Sequence, residues 1–170
     1  MTITNENASV TEAAASVDGY PSAADALFRF FTAFPGFDDA HPLGFEAEMP
    51  GERYAVTGRG CGIDGGRVMA AVFRMESTLT QVRRYINGGG TSRGACTVLG
   101  RVRDEDAAGR REAVSFFSAL AEYVRLAGER YEDGRRVFVI RPAAHPARVM
   151  LTADGAVWEL RCTVEIHETQ

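Results

Sequence analysis

Few residues in this sequence carry side chains suited to nucleophilic or metal chemistry. Cys61 sits in the glycine-rich run Gly58-Arg-Gly-Cys-Gly-Ile-Asp-Gly-Gly66, and His41 and His145 each precede a proline in a loop. A thiolate beside an imidazole is a nucleophile. No local signature joins these residues, and a turn accounts for the glycines around Cys61. Asp38, Asp39 and His41 offer ligands for a hard cation, although a D-D-x-H loop is more often a solvated turn. Gly88-Gly89-Gly90 resembles a phosphate cradle only in composition. Phosphate loops lead into a helix N-terminus with a lysine or an acid downstream, whereas this run leads into a strand pattern. Phe28, Phe30, Phe31 and Phe34 recur at helical spacing, which marks a core face before it marks a ligand pocket. The residues alone point to no catalytic, cofactor-binding or metal-ligating site, and no cofactor is expected.

The elements that must position these residues are clearer. The longest periodic stretch is Arg110 to Glu129, RREAVSFFSALAEYVRLAGE. At about 100° per residue, Val114, Phe117, Ala121, Val124 and Gly128 form one row, and Ala113, Phe116, Leu120, Tyr123 and Ala127 form the next. Arg111, Ser115, Ser118, Glu122, Arg125 and Glu129 take the opposite side. The apolar arc spans about half the circumference, wider than the ~100° stripe of an ordinary surface helix. One row is expected to pack on a sheet, led by Phe117. The other row, Phe116, Leu120 and Tyr123, is expected nearer a neighbouring subunit. Asp104, Glu105 and Asp106 precede the helix and suit its positive end.

An earlier helix is expected from Ser22, where Ser22 and Asp25 form an S-x-x-D capping pattern. It should end at Pro35-Gly36. Between the helices, strands are expected over Gly44 to Met49, Arg53 to Thr57, Arg67 to Glu76, Gln81 to Ile86 and Ala95 to Arg103. The run Asn87-Gly-Gly-Gly90 makes a wide hairpin tip. After the second helix come Arg136 to Arg141, Arg148 to Thr152 and Ala156 to His167, with a hairpin at Ala153-Asp154-Gly155. The last strand alternates strictly. Trp158, Leu160, Cys162, Val164 and Ile166 form an apolar face. Glu159, Arg161, Thr163, Glu165 and His167 form a polar one, of which Glu159, Arg161 and Glu165 are the candidate partner-facing residues. Segregated helices and strands in this order predict an α+β fold, an antiparallel, curved sheet packed by two main helices.

Composition narrows the class. A chain of 170 residues is read as one domain over 21–170 behind a polar, flexible arm over 1–20. The net charge of −4 argues against nucleic acid as a partner. All 19 basic residues are arginine, which fits GC-rich codon usage. The three cysteines, Cys61, Cys96 and Cys162, contain no C-x-x-C pair and read as small core residues in a reducing compartment. The N-terminal stretch lacks the basic and apolar regions of a signal peptide. No apolar run reaches membrane-spanning length, so no membrane partner is expected.

Three stretches in this order resemble one family. Phe73-Arg-Met-Glu-Ser-Thr78 followed by Val82-Arg-Arg-Tyr-Ile-Asn-Gly88 is similar to the "Y-x-I-E-x-T … V-x-R-Y-x-D-G" passage of phage tail-terminator proteins, also described as tail-completion or minor capsid proteins. Ser115-Phe-Phe-Ser-Ala-Leu-Ala-Glu-Tyr-Val124 resembles the family's "gFfe-x-La-x-w-l" helix. The closing hairpin from Ala156 to Glu168, with Cys162, resembles "d-x-a-x-y-x-i-x-C-x-l-x-y-x-e", and Phe31 to Phe37 resembles a helix ending in F-P-G-L. The likeness spans Ala23 to Glu168. It departs in the missing prolines between Ser77 and Gln81, a longer segment from Pro50 to Gly66, and the added arm.

The resemblance implies a structural virion protein of the tail and neck rather than an enzyme. Such proteins are assembled in the host bacterial cytoplasm as a ring, usually hexameric. The ring caps the tail tube, stops its polymerisation and joins it to the head connector. The implied partners are therefore copies of the same chain, the tail-tube protein and the connector. Two other readings stay open. A small-ligand-binding or biosynthetic α+β domain requires an enclosed cavity with convergent polar groups. A secretion chaperone requires a two-fold dimer through one helix.

Overall fold

The computed structural model describes residues 22–39, 43–46, 68–76, 79–86, 88–103, 106–152 and 155–169. The expected arm, the strand over Arg53 to Thr57 and the turn holding Cys61 lie outside these residues, as do His41, Asp104 and Glu105. The order is α1 (Ala23–Thr32), β1 (Leu43–Glu46), β2 (Val68–Met75), β3 (Thr80–Arg84), β4 (Gly90–Val102), α2 (Ala107–Ala127), β5 (Tyr131–Asp133), β6 (Arg136–Pro142), β7 (Ala147–Thr152) and β8 (Gly155–Glu168). The fold is α+β, with a curved, mostly antiparallel sheet of eight strands packed by two helices.

β4 and β8 form the middle of the sheet and pair without a break from Gly90↔Glu168 to Val102↔Ala156. Each is long enough to carry two strands along its outer edge. β2 and β3 share the far edge of β4, and β6 and β7 share the far edge of β8. β1 then adds to β2 and β5 adds to β6. β1 runs parallel to β2, an exception to the expected antiparallel pattern.

Both helices cover one face of this sheet. β8 alternates as expected, with Leu160, Cys162, Val164 and Ile166 buried on that face and Arg161 and Thr163 exposed on the other. Phe117 of α2 stacks on Trp158, with ring centroids 6.1 Å apart. Phe31 of α1 meets Phe73 of β2 at 5.5 Å. Neighbouring residues of α1 reach opposite ends of the strand order. Phe28 touches Phe45 of β1 at 5.4 Å, and Phe30 touches Tyr131 of β5 at 5.1 Å. The sheet therefore curls far enough for its two terminal strands to meet one helix. Arg29 completes the closure with an ion pair to Asp133 of β5 at 2.9 Å.

Local signals explain the helix starts. The Ser22 side chain accepts from the Asp25 amide at 3.1 Å, and the Asp25 carboxylate accepts from the Ser22 amide at 3.2 Å, a complete capping box. Asp106 caps α2 by accepting from the Gly109 amide. The elements differ from expectation most at β4, at its turn from β3 and at β5. β4 begins at Gly90 rather than Ala95, because β3 and β8 pair with its glycine-containing first half. The β3–β4 tip is consequently tight: the Tyr85 amide donates to Gly89 and the Gly88 amide donates to Tyr85. β5 has no counterpart in the sequence reading, although Asp133-Gly134 is a strong hairpin signal and Gly134 has φ 62°. The β7–β8 hairpin stands where expected, and Gly155 enters it with φ 152°.

Gly100 of β4 is held by packing. A β-carbon there would lie 2.6 Å from the Phe117 ring, so the absent side chain lets α2 settle on the sheet. Gly100→Ala is expected to cost about 1–3 kcal/mol of stability through overpacking. Phe117→Leu should then cost less in the Gly100→Ala background than alone, because it clears the clash. Chemical denaturation of the four chains measures this coupling; additive costs would contradict it.

Candidate functional site

The residues singled out for chemistry are not brought together among the described residues. His145 is exposed in the β6–β7 loop, and Asp38 and Asp39 are exposed after α1. Among the described residues, no three His, Cys, Asp or Glu side chains cluster as metal ligands. The Phe30, Phe31 and Phe34 side chains are core. Among the described residues, two surface grooves flank α2, and both are open. One lies between Glu122 and Arg125 of α2, Glu129 just after it, and the segment from Pro142 to Pro146. The other lies at the end of α2, between Leu126 and Val137, Val139 and His167. Phe73 and Phe117 are fully buried at the centre of the core, with Trp158 nearly so.

The row expected to face a neighbouring subunit is partly covered within the chain, with Phe116 and Tyr123 half-buried. Leu120 has no exposed surface. Phe116 lies edge-on to Phe34 and Phe37, each at 5.6 Å. Tyr123 packs on Phe30 at 5.1 Å and donates its hydroxyl to the Phe30 carbonyl at 2.8 Å. The wide apolar arc has two uses: Phe117 packs on Trp158 of the sheet, and Phe116 and Tyr123 pack on Phe30 and Phe34 at α1 and its C-terminal turn. The Phe117 row is itself uneven: Phe117 and Val124 are buried, whereas Val114 is 45% exposed.

The polar face of the sheet carries a ladder of paired charges. Glu76 accepts from Thr97 with one carboxylate oxygen and from Arg161 with the other, the latter at 2.6 Å. Arg161 also lies 3.7 Å from Glu159. Further along, Arg93 contacts Glu165 at 2.7 Å, and His167 contacts the same carboxylate at 2.9 Å. The Arg93 hydrogen bond holds the Glu165 carboxyl below the usual range, helped by His167. Of the three candidate partner-facing residues, Arg161 is exposed and Glu165 half-buried, but the Glu159 side chain is only 11% exposed. Leu99 and Ala147 flank Glu159 in the register and leave it little open surface. Glu76, Thr97 and Arg93 belong to the same ladder and were not recognised from the sequence, whereas His167 stands on the polar face expected for it. Only the strand register places them beside Arg161 and Glu165.

Exposed large apolar side chains mark the sheet margins. Val149, Met150 and Leu151 are exposed on β7, and Val82, Tyr85 and Ile86 on β3 and its turn. Among the described strands, β7 pairs only with β8 and β3 only with β4. The two edges sit at opposite corners of the sheet. β3 lies beside the Gly90 end of β4, and β7 lies beside the Ala156 end of β8.

Burial raises the Tyr123 pKa, with Tyr131 adding to the effect. The phenol therefore keeps its proton longer in the folded chain than in the unfolded one. Its contribution is complete below the ordinary tyrosine value of about 10 and is lost as pH climbs through the higher folded value. Tyr123→Phe should cost about 0.5–1.5 kcal/mol at neutral pH, and its stability should fall less steeply than the parent's in alkali. Parallel slopes in denaturation from neutral to alkaline pH would contradict this. Compared with models of known protein families and with curated protein sequences, the chain matches none.

Proposed function

We propose that the chain is a structural virion protein, a tail terminator that closes into a ring, caps the tail tube and joins it to the head connector. Sequence resemblance supplies the role, and the placement of β3 and β7 is the observation that carries the reading. A closed ring needs two different patches on each subunit, each meeting the other kind on its neighbour. Two edge strands bearing exposed apolar residues at opposite corners of one sheet meet that requirement. Edge strands with no second partner among the described strands are templates for pairing with another chain. The proposed partners are copies of the chain, the tail-tube protein and the connector, in a particle assembled in the host cytoplasm. Among the described residues, no helix is long and apolar enough to cross a membrane.

The other readings have less support. The core centre is filled by Phe73, Phe117 and Trp158, and the two grooves described are open, which gives a ligand-binding domain less support. The apolar rows of α2 are largely used within the chain, which leaves little of that helix for a two-fold chaperone dimer.

Sedimentation and negative-stain imaging of the full chain should reveal rings, or rings formed on addition of tail-tube protein. Val82→Glu and Leu151→Glu should each abolish them while leaving the circular dichroism spectrum unchanged. Mixed together, the two variants retain one intact edge of each kind and should stop at a heterodimer. Compact monomers throughout, or a two-fold dimer indifferent to both substitutions, would overturn the reading.

A further inference from the structure

Cys96 and Cys162 are direct partners across the β4–β8 pair, and both are free and fully buried. Their backbone setting follows from the neighbouring bonds. The Ala143 amide donates to the Arg161 carbonyl, flanking the Pro142↔Cys162 pair of β6 and β8. The Glu76 amide donates to the Ala95 carbonyl, flanking the Met75↔Cys96 pair of β2 and β4. Both cysteines therefore turn their own amide and carbonyl away from the outer strands and toward each other. Such a hydrogen-bonded pair holds its α-carbons about 5.5 Å apart, inside the roughly 4.4–6.8 Å span that a disulfide bridges.

We infer that Cys96 and Cys162 form a reversible dithiol–disulfide site, in which a small disulfide oxidant joins the two central strands. One cysteine thiolate attacks the oxidant's disulfide and releases one thiol. The other cysteine then attacks the mixed disulfide and releases the second thiol. Two protein thiols are oxidised, one small disulfide is reduced, and the two cysteine protons end on the released thiols. The inference does not depend on ring assembly.

Two features set the character of the site. Burial is complete, so the exchange takes place during folding or in a local opening rather than at the closed surface. Directly opposed β-carbons are up to about 5.5 Å apart in such pairs, wider than the roughly 3.5–4.5 Å of a relaxed disulfide. The strands must pinch together to close the bond, which makes it reducible by a thiol pool rather than a permanent brace. The Cys96 thiol is hydrogen-bonded to Cys162, and that contact together with burial pushes its pKa well up. The Cys96 thiol therefore stays protonated and unreactive until the strands open.

The test is refolding of the full chain from denaturant in a glutathione redox buffer, followed by alkylation of free thiols and peptide mapping by mass spectrometry. Chain statistics alone favour the shorter Cys61–Cys96 loop over the longer Cys96–Cys162 loop. The expected result is the reverse: Cys96–Cys162 predominates, in a product with native near-ultraviolet dichroism from Trp158, and excess reduced glutathione returns it to thiols. Cys61→Ser should oxidise to the same extent. Predominance of bonds to Cys61, or three alkylated cysteines in natively refolded chain across the oxidising range of the buffer, would overturn the proposal. The decisive mapping uses the unsubstituted chain, so it requires no variant to fold.

Discussion

The structure depends on the uninterrupted pairing of β4 with β8. Its register is regular along the whole length, whereas β2, β3 and β7 each carry a register shift where they join it. Bulges increase twist and bend the strand that carries them. The straight pair in the middle and irregular strands outside it together produce a sheet that curls. The curl decides the interior. A flat sheet would need two separate helices to cover its flanks, but here α1 alone reaches both β1 and β5. The aromatic side chains of α1 fill the resulting trough, and α2 closes it from the other side through Phe116, Phe117 and Tyr123.

Much of this was legible in the residues. The alternation of β8 named its buried face, because a strand with one wet side repeats with period two. The capping box and the acids before α2 marked where each helix begins. What periodicity could not supply was the identity of the surface each face meets. The Phe116–Leu120–Tyr123 row is as apolar as expected, and part of it is spent inside the chain, on Phe30, Phe34 and Phe37. An apolar arc measures how much must be buried, not against what. The early start of β4 was hidden for a similar reason. Gly90 and Gly94 weaken a strand by propensity, and pairing on both sides overrides that preference. β5 was missed although Asp133-Gly134 announces it, because its three residues are too few to show a period.

The two faces of the sheet illustrate a second division. The inner face is closed by apolar packing that involves residues far apart in sequence. The outer face has its own small cluster, Val72, Leu99 and Val157, and next to it buried Arg74 and Thr97. Beyond these lie the Glu76–Arg161 and Arg93–Glu165 pairs, each joining strands that register alone brings together. Exposed pairs of this kind contribute at most about 1 kcal/mol each. They define a hydrophilic surface and resist mispairing more than they stabilise the fold.

That division bears on how the chain would associate. The inner face is already filled by its own helices. The outer face could meet a partner only if its paired charges were desolvated, and the energy regained would depend on a partner that replaced their contacts. The margins present apolar side chains beside their charged ones. Backbone groups along β3 and β7 lie at strand edges, beside side chains such as Val82 and Leu151 that lose nothing polar when covered. A neighbour that continued the sheet would satisfy the former and bury the latter in one step. Because β4 and β8 are each long enough to carry two strands, β3 and β7 are offset to opposite corners, each with one partner among the described strands.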